Sequence, residues 1–113
     1  TVVTPVPLHW RRQRQRGYNQ AELLAQDIAG SLGIPCQTLL RRDRQTPPQA
    51  QLNLKQRQRN MKGVFSARGS VDDGTHVLLV DDVLTTGATL AACTTVLLET
   101  HTENVSVLTV GRG

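Results

Sequence analysis

Val77-Leu78-Leu79-Val80 runs straight into Asp81-Asp82, and Thr85-Thr86-Gly87-Ala88-Thr89 follow after two more apolar residues. Four successive apolar side chains show no alternation between a wet and a dry face. The strand they predict, His76 to Val80, is therefore buried on both faces, as parallel strands are when helices cover the sheet above and below. A helix from about Gly87 to Glu99 comes next, with Leu90, Val96 and Leu97 on one side, and Asn104 to Val110 reads as a final strand.

The first half adds elements of the same kinds. Thr1 to Val6 is rich in β-branched residues and reads as a strand ended by Pro5 and Pro7, followed by a loop from Leu8 to Gly17. Asn19 is a natural N-cap, with Glu22 three positions on to complete a capping box. Leu24, Ile28 and Leu32 make an apolar stripe at spacing four; Gly33 ends that helix and Pro35 prevents its return. Cys36 to Leu40 is expected as a second strand and Gly63 to Ala67 as a short one, with a turn at Asp72-Asp73-Gly74. Between them, residues 41–60 are irregular and hold six of the 13 Lys and Arg and five of the ten glutamines. The order of elements predicts an α/β fold: an open, mostly parallel sheet flanked by helices. At 113 residues it is one domain, 1–113, whose core rests on aliphatic side chains because Trp10, Tyr18 and Phe65 are the only aromatics. The chain starts directly on its first strand, so a fragment of a longer protein is expected.

Charge is unevenly spread. Residues 9–68 carry 12 Lys and Arg against three acids, a balance of +9, whereas residues 69–113 carry one Arg against six acids, a balance of −5. Eleven of the 13 cations are arginine, the side chain suited to bidentate recognition of phosphate or carboxylate. An anionic partner met by the first half is expected. No apolar run approaches the roughly 20 residues of a membrane span, and no secretory leader is visible. Cys36 and Cys93 stand 57 positions apart and outside any CxxC pair, which argues against a zinc site made by this chain alone and fits a reducing cytoplasm.

Ligands of open α/β sheets bind beyond the carboxyl ends of the strands, where the turn after Val80 lies. The small residues there let backbone approach a ligand. The unpaired N–H groups and positive end of the following helix favour an anion, and Thr85, Thr86 and Thr89 add hydroxyl donors. Two carboxylates beside a phosphate cradle are reconciled by one ligand class. A sugar phosphate brings phosphate to the amides and vicinal hydroxyls to the acids. A strand ending in acids also occurs in Walker B segments, but the G-x-x-x-x-G-K-[ST] partner is absent.

The segment Val77 to Thr89 resembles the 5-phosphoribosyl 1-pyrophosphate (PRPP) motif of type I phosphoribosyltransferases. Val6-Pro7-Leu8-His9-Trp10 with Arg12, and Arg16-Gly17-Tyr18-Asn19-Gln20-Ala21-Glu22-Leu23-Leu24-Ala25, are similar to the ComF/GntX branch. So are Arg42-x-Arg44-x-Thr46-x-x-Gln49-x-x-Leu52, Arg59-Asn60 and Gly63-x-Phe65. The resemblance implies that Asp81 and Asp82 meet the ribose hydroxyls. It implies that Val83, Leu84, Thr85, Thr86, Gly87, Ala88 and Thr89 form the rest of the PRPP site. It places a pyrophosphate loop at Leu8, His9, Trp10 and Arg11, and a mobile loop carrying Arg42, Arg44, Gln49 and Arg59. Two departures stand out. The N-terminal zinc-binding segment common in the ComF family is lacking, and Thr85 occupies the place of the aspartate that serves 6-oxopurine salvage enzymes.

The implied function is Mg²⁺-dependent transfer of phosphoribose from PRPP to an unknown acceptor, with Asp81, Asp82 and Arg44 in the reacting centre. Mg²⁺ would arrive with PRPP, without a metal site assigned to the protein. The partners to expect are PRPP or another phosphorylated ribose and a second copy of the chain. Two other readings stay open: a non-catalytic competence accessory that binds single-stranded DNA through its basic half, and a PRPP sensor.

Overall fold

The computed structural model describes residues 1–8, 19–43, 63–69, 71–82, 87–100 and 102–109. Strand β1 (Val2–Pro5) leads to helix α1 (Gln20–Leu32). Strands β2 (Leu40–Arg42) and β3 (Phe65–Ala67) pair antiparallel as a small separate sheet. Strand β4 (Thr75–Asp81), helix α2 (Ala88–Leu98) and strand β5 (Thr102–Thr109) complete the order. β4 lies between β1 and β5, parallel to both. The open, mostly parallel α/β sheet expected from the sequence is the fold observed.

Alternation along β4 builds two cores. Val77 and Leu79 point to one face and join Leu90, Cys93 and Leu97 of α2 with Leu40 and Phe65 of the hairpin. Val80 points to the other and meets Val3 with Ala25 and Ala29 of α1, where Leu78 also packs. The run without alternation was the signature of this double burial. Helix α1 lies close to the sheet because Ala21, Ala25 and Ala29 recur at spacing four on its buried face. Leu24 and Ile28 flank that stripe, half-buried, but Leu32 is 61% exposed at the helix end. The stripe expected through Leu24, Ile28 and Leu32 is therefore corrected. The small residues make the close contact and the large ones border it. Gly33 closes the helix at φ 68°, a left-handed conformation that suits glycine.

The second strand is also shifted. Cys36 makes only an isolated parallel bridge to Val3, through Val3 N–H to the Pro35 carbonyl and Gln37 N–H to the Val3 carbonyl, both 2.9 Å. The chain then leaves the sheet. The buried Thr4 hydroxyl accepts from Leu39 N–H at 3.0 Å, and Leu40–Arg42 pairs with Phe65–Ala67 instead. That pairing joins residues more than 20 positions apart, which no local pattern reveals. No helix among the described residues is long and apolar enough to cross a membrane.

Asn19 ties α1 to β1. Its Oδ1 accepts from Ala21 N–H at 3.1 Å as the helix cap, and its Nδ2 donates to the Val6 carbonyl at 3.2 Å. Both bonds are buried, so Asn19→Ala is expected to cost about 1–3 kcal/mol. Asn19→Asp should recover the cap and not the tie. Urea denaturation with an unchanged slope measures both.

Candidate functional site

The chain leaves β1 and β4 in opposite directions. After β1 it passes through α1 on one face and returns at Cys36 on the outer side of β1. After β4 it passes through α2 on the other face and returns as β5 on the outer side of β4. The gap between the carboxyl ends of β1 and β4 is thus the topological switch point, where a ligand finds a crevice not bridged by a crossover. Register fixes what lines it. Pro5 stands beside Val80, Val6 N–H donates to the Val80 carbonyl at 2.8 Å, and the next residue of β4 is Asp81.

Asp81 ends the buried strand with its carboxylate half-buried and accepts from Asp82 N–H at 2.9 Å. Burial pushes its pKa up to about 7, and the neighbouring Asp82 carboxyl adds to the rise; the Asp82 amide and the Arg42 guanidinium oppose it. Asp81 therefore gives up its proton well above the ordinary carboxylate range. A hydroxyl donor or a cation arriving there would replace that proton. The Cys93 thiol, buried on α2, is pushed far above its ordinary range by burial first and by Asp81 second. It is a core side chain and no nucleophile. Gly87 caps α2 at φ 79° without a side-chain bond, leaving the first-turn amides of the helix uncapped by residue 87.

Beyond β1 a cavity of about 540 Å³ opens on the other flank of the switch point. Pro5, Pro7, Leu8 and Leu40 give it apolar walls. Arg41, Arg42 and Arg68 reach it from the hairpin, with Asp43 alongside and Glu22 on α1. Arg41 Nε is 2.7 Å from Asp43 Oδ1. The Arg42 guanidinium lies 5.5 Å from the centre of the Phe65 ring, and its charge is felt by Asp81. Arg42 thus relates the cavity to the acid pair.

Of the residues singled out from sequence, Asp81, Asp82, Gly87, Ala88 and Thr89 stand at the end of β4 and the start of α2. Leu8 and Arg42 line the cavity, and the Arg42 charge is felt at Asp81. His9, Trp10, Arg11, Arg44, Gln49, Arg59 and Val83, Leu84, Thr85 and Thr86 lie outside the described residues. Sequence reasoning placed Arg41 only within the arginine-rich stretch 41–60 and gave no role of its own to Arg68; the hairpin brings both to the cavity.

The phosphoribosyl transferase domain family matches residues 19–110, from the cap of α1 through β5. The chain belongs to that family. Within it, the relatives are of the ComF type. Competence protein F of Haemophilus influenzae is 39% identical over 98% of this chain and 50% of its own length. DNA utilization protein YhgH of Salmonella typhi is 39% identical over 93% of this chain and 46% of its own. Competence protein ComFC of Bacillus subtilis is 33% identical over 87% and 38%. The chain spans about half the length of the curated relatives it matches, or less. No solved structure is a significant match. The matched region contains the switch-point crevice and the acids Asp81 and Asp82 at the end of β4.

The raised pKa of Asp81 has a stability consequence. From pH 4 to about 7 the native state binds a proton that the unfolded chain has lost, so stability falls as pH rises through that window. Asp81→Asn removes the titration. Its melting temperature is expected to vary less than wild type over this range and to lie above wild type at pH 8. Thermal melts at pH 4.5 to 8 measure this; a wild-type profile already flat would contradict it.

Proposed function

We propose that this domain binds PRPP at the β1/β4 switch point and transfers its phosphoribosyl group to a nitrogen nucleophile. The observation that carries the reading is the half-buried acid pair at the end of a doubly buried strand, with the start of α2 after it, where Gly87 offers no side-chain cap. Asp81 and Asp82 accept from the ribose hydroxyls, and the amides that open α2 take the 5-phosphate. The bond from ribose C1 to pyrophosphate breaks as the bond from the acceptor nitrogen forms, and any proton on that nitrogen departs. Positioning of the two reactants and stabilisation of the leaving charge account for the catalysis. Arg44, which the family resemblance places in the reacting centre, is the protein's means for the second task.

Mg²⁺ fits this site in a limited way. Asp81 and Asp82 offer the hard oxygen donors it prefers, but no group of three or more His, Cys, Asp or Glu that could hold a metal occurs among the described residues. The ion would be held chiefly by substrate oxygens, with the acid pair beside it. When bound, it neutralises charge developing on the pyrophosphate.

A second reading rests on the relatives named competence protein F and DNA utilization protein, and on the +9 balance of residues 9–68. It makes the domain a single-stranded DNA binder. The two readings separate on salt and on the acids, because phosphate contacts weaken steeply with ionic strength.

Titration calorimetry with PRPP, with and without Mg²⁺, tests the first reading. Wild type is expected to bind in a Mg²⁺-dependent manner, and Asp81→Asn/Asp82→Asn to lose at least tenfold in affinity while staying folded. Absence of binding by folded wild type would overturn it. Oligonucleotide affinity that falls with salt and survives the double substitution would favour the second. Binding without pyrophosphate release in the presence of any acceptor would make the domain a sensor.

A further inference from the structure

We propose that Arg42 is a positioning residue of the ribose site: seated on Phe65, it holds the Asp81 carboxylate ready to accept from a ribose hydroxyl. The proposal rests on the PRPP reading above and adds a residue that acts through Asp81 rather than on the ligand. Arg42 ends β2 and stands in register with Phe65 of β3. Phe65 is buried in the core on the α2 face, so its ring is a fixed seat. The Arg42 guanidinium lies 5.5 Å from the ring centre, within the range over which a cation is drawn to an aromatic face. A long side chain anchored in this way loses much of its freedom before any ligand arrives.

Two alternations relate that seat to the acid. On β2, Leu40 and Arg42 share one face, and Leu40 packs in the same core as Val77 and Leu79. On β4, Asp81 follows Val77 and Leu79 on the face they share. Arg42 is thus the step beyond Leu40 on the hairpin, and Asp81 the step beyond Leu79 on the sheet. Both stand where one core gives way to solvent. Their electrostatics agree with this placement. Burial raises the Asp81 pKa, and the Arg42 charge opposes that rise. The Cys93 thiol, raised by burial and by Asp81, is likewise opposed by Arg42, so the three groups lie within reach of one another's fields. A carboxylate has about four acceptor sites, so a cation on one flank leaves others open for a sugar hydroxyl.

The test uses wild type, Arg42→Gln and Arg42→Lys. Ribose 5-phosphate is titrated into each beside 2,3-dideoxyribose 5-phosphate, which lacks the hydroxyls that the acids accept from. Wild type is expected to prefer ribose 5-phosphate by roughly tenfold or more, as hydrogen bonds to a charged group carry. Arg42→Gln should cut that preference by roughly threefold, the scale of a partly exposed charge pair, and leave the dideoxy affinity unchanged. Arg42→Lys keeps the charge and should retain the wild-type preference. A glutamine variant with the full preference overturns the assignment, and so does a lysine variant as indifferent as the glutamine one. Equal loss of both ligands in Arg42→Gln also overturns it, because Arg42 would then hold the phosphate itself. Wild type that binds neither compound, or binds both alike, overturns the ribose reading of the acids, and this assignment with it.

Discussion

Burial of β4 on both faces is the constraint from which the rest follows. A strand with no wet face must have its backbone paired along both edges and a layer packed on each side. Here β1 and β5 pair its edges, α1 lies on one face, and α2 with the β2–β3 hairpin lies on the other. Val77, Leu79 and Val80 are fully enclosed as a result. The strand can become polar only at its end, and it does so abruptly at Asp81. The boundary between core and solvent therefore coincides with the first carboxylate.

That coincidence gives the site its electrostatics. A carboxylate at the rim of a core is poorly solvated, and a second one beside it adds repulsion, so Asp81 stays protonated well above the ordinary carboxylate range. The Asp82 amide and Arg42 offset part of this cost. Arg42 belongs to the hairpin and is held against Phe65, a buried member of the α2-side core. The hairpin that walls the cavity thus also supplies a counter-charge to the acid pair. Arg42 lines that cavity, and its charge is felt at Asp81.

Much of this was legible in the sequence, for physical reasons. The β4 segment shows its double burial in four unbroken apolar residues, and Asn19 and Gly33 mark the ends of α1 because caps depend on local chemistry. The parallel pairing of β4 with β5 follows from two strands joined by a helix, whereas the place of β1 beside β4 has no local signal. What the sequence concealed depends on distance along the chain. Leu40–Arg42 finds Phe65–Ala67 across a long separation, so the second strand was placed too early, at Cys36. Periodicity points to Leu24, Ile28 and Leu32 as the buried stripe of α1 because hydrophobicity outweighs size in such an argument, whereas close approach to the sheet selects the alanines. Arg68 carries no local signal, because only the hairpin brings it to the cavity.

The central claim is one of place: the ligand sits at the carboxyl edge of β1 and β4. Amide chemical-shift mapping during a titration with Mg²⁺ and PRPP tests this most directly. The account predicts the largest shifts at Asp81, Asp82, Gly87 and Ala88, smaller ones at Leu8 and Arg42, and none at Thr75 or Thr100 at the opposite edge of the sheet. Shifts concentrated at that opposite edge, or an unchanged spectrum at saturating ligand, would contradict it.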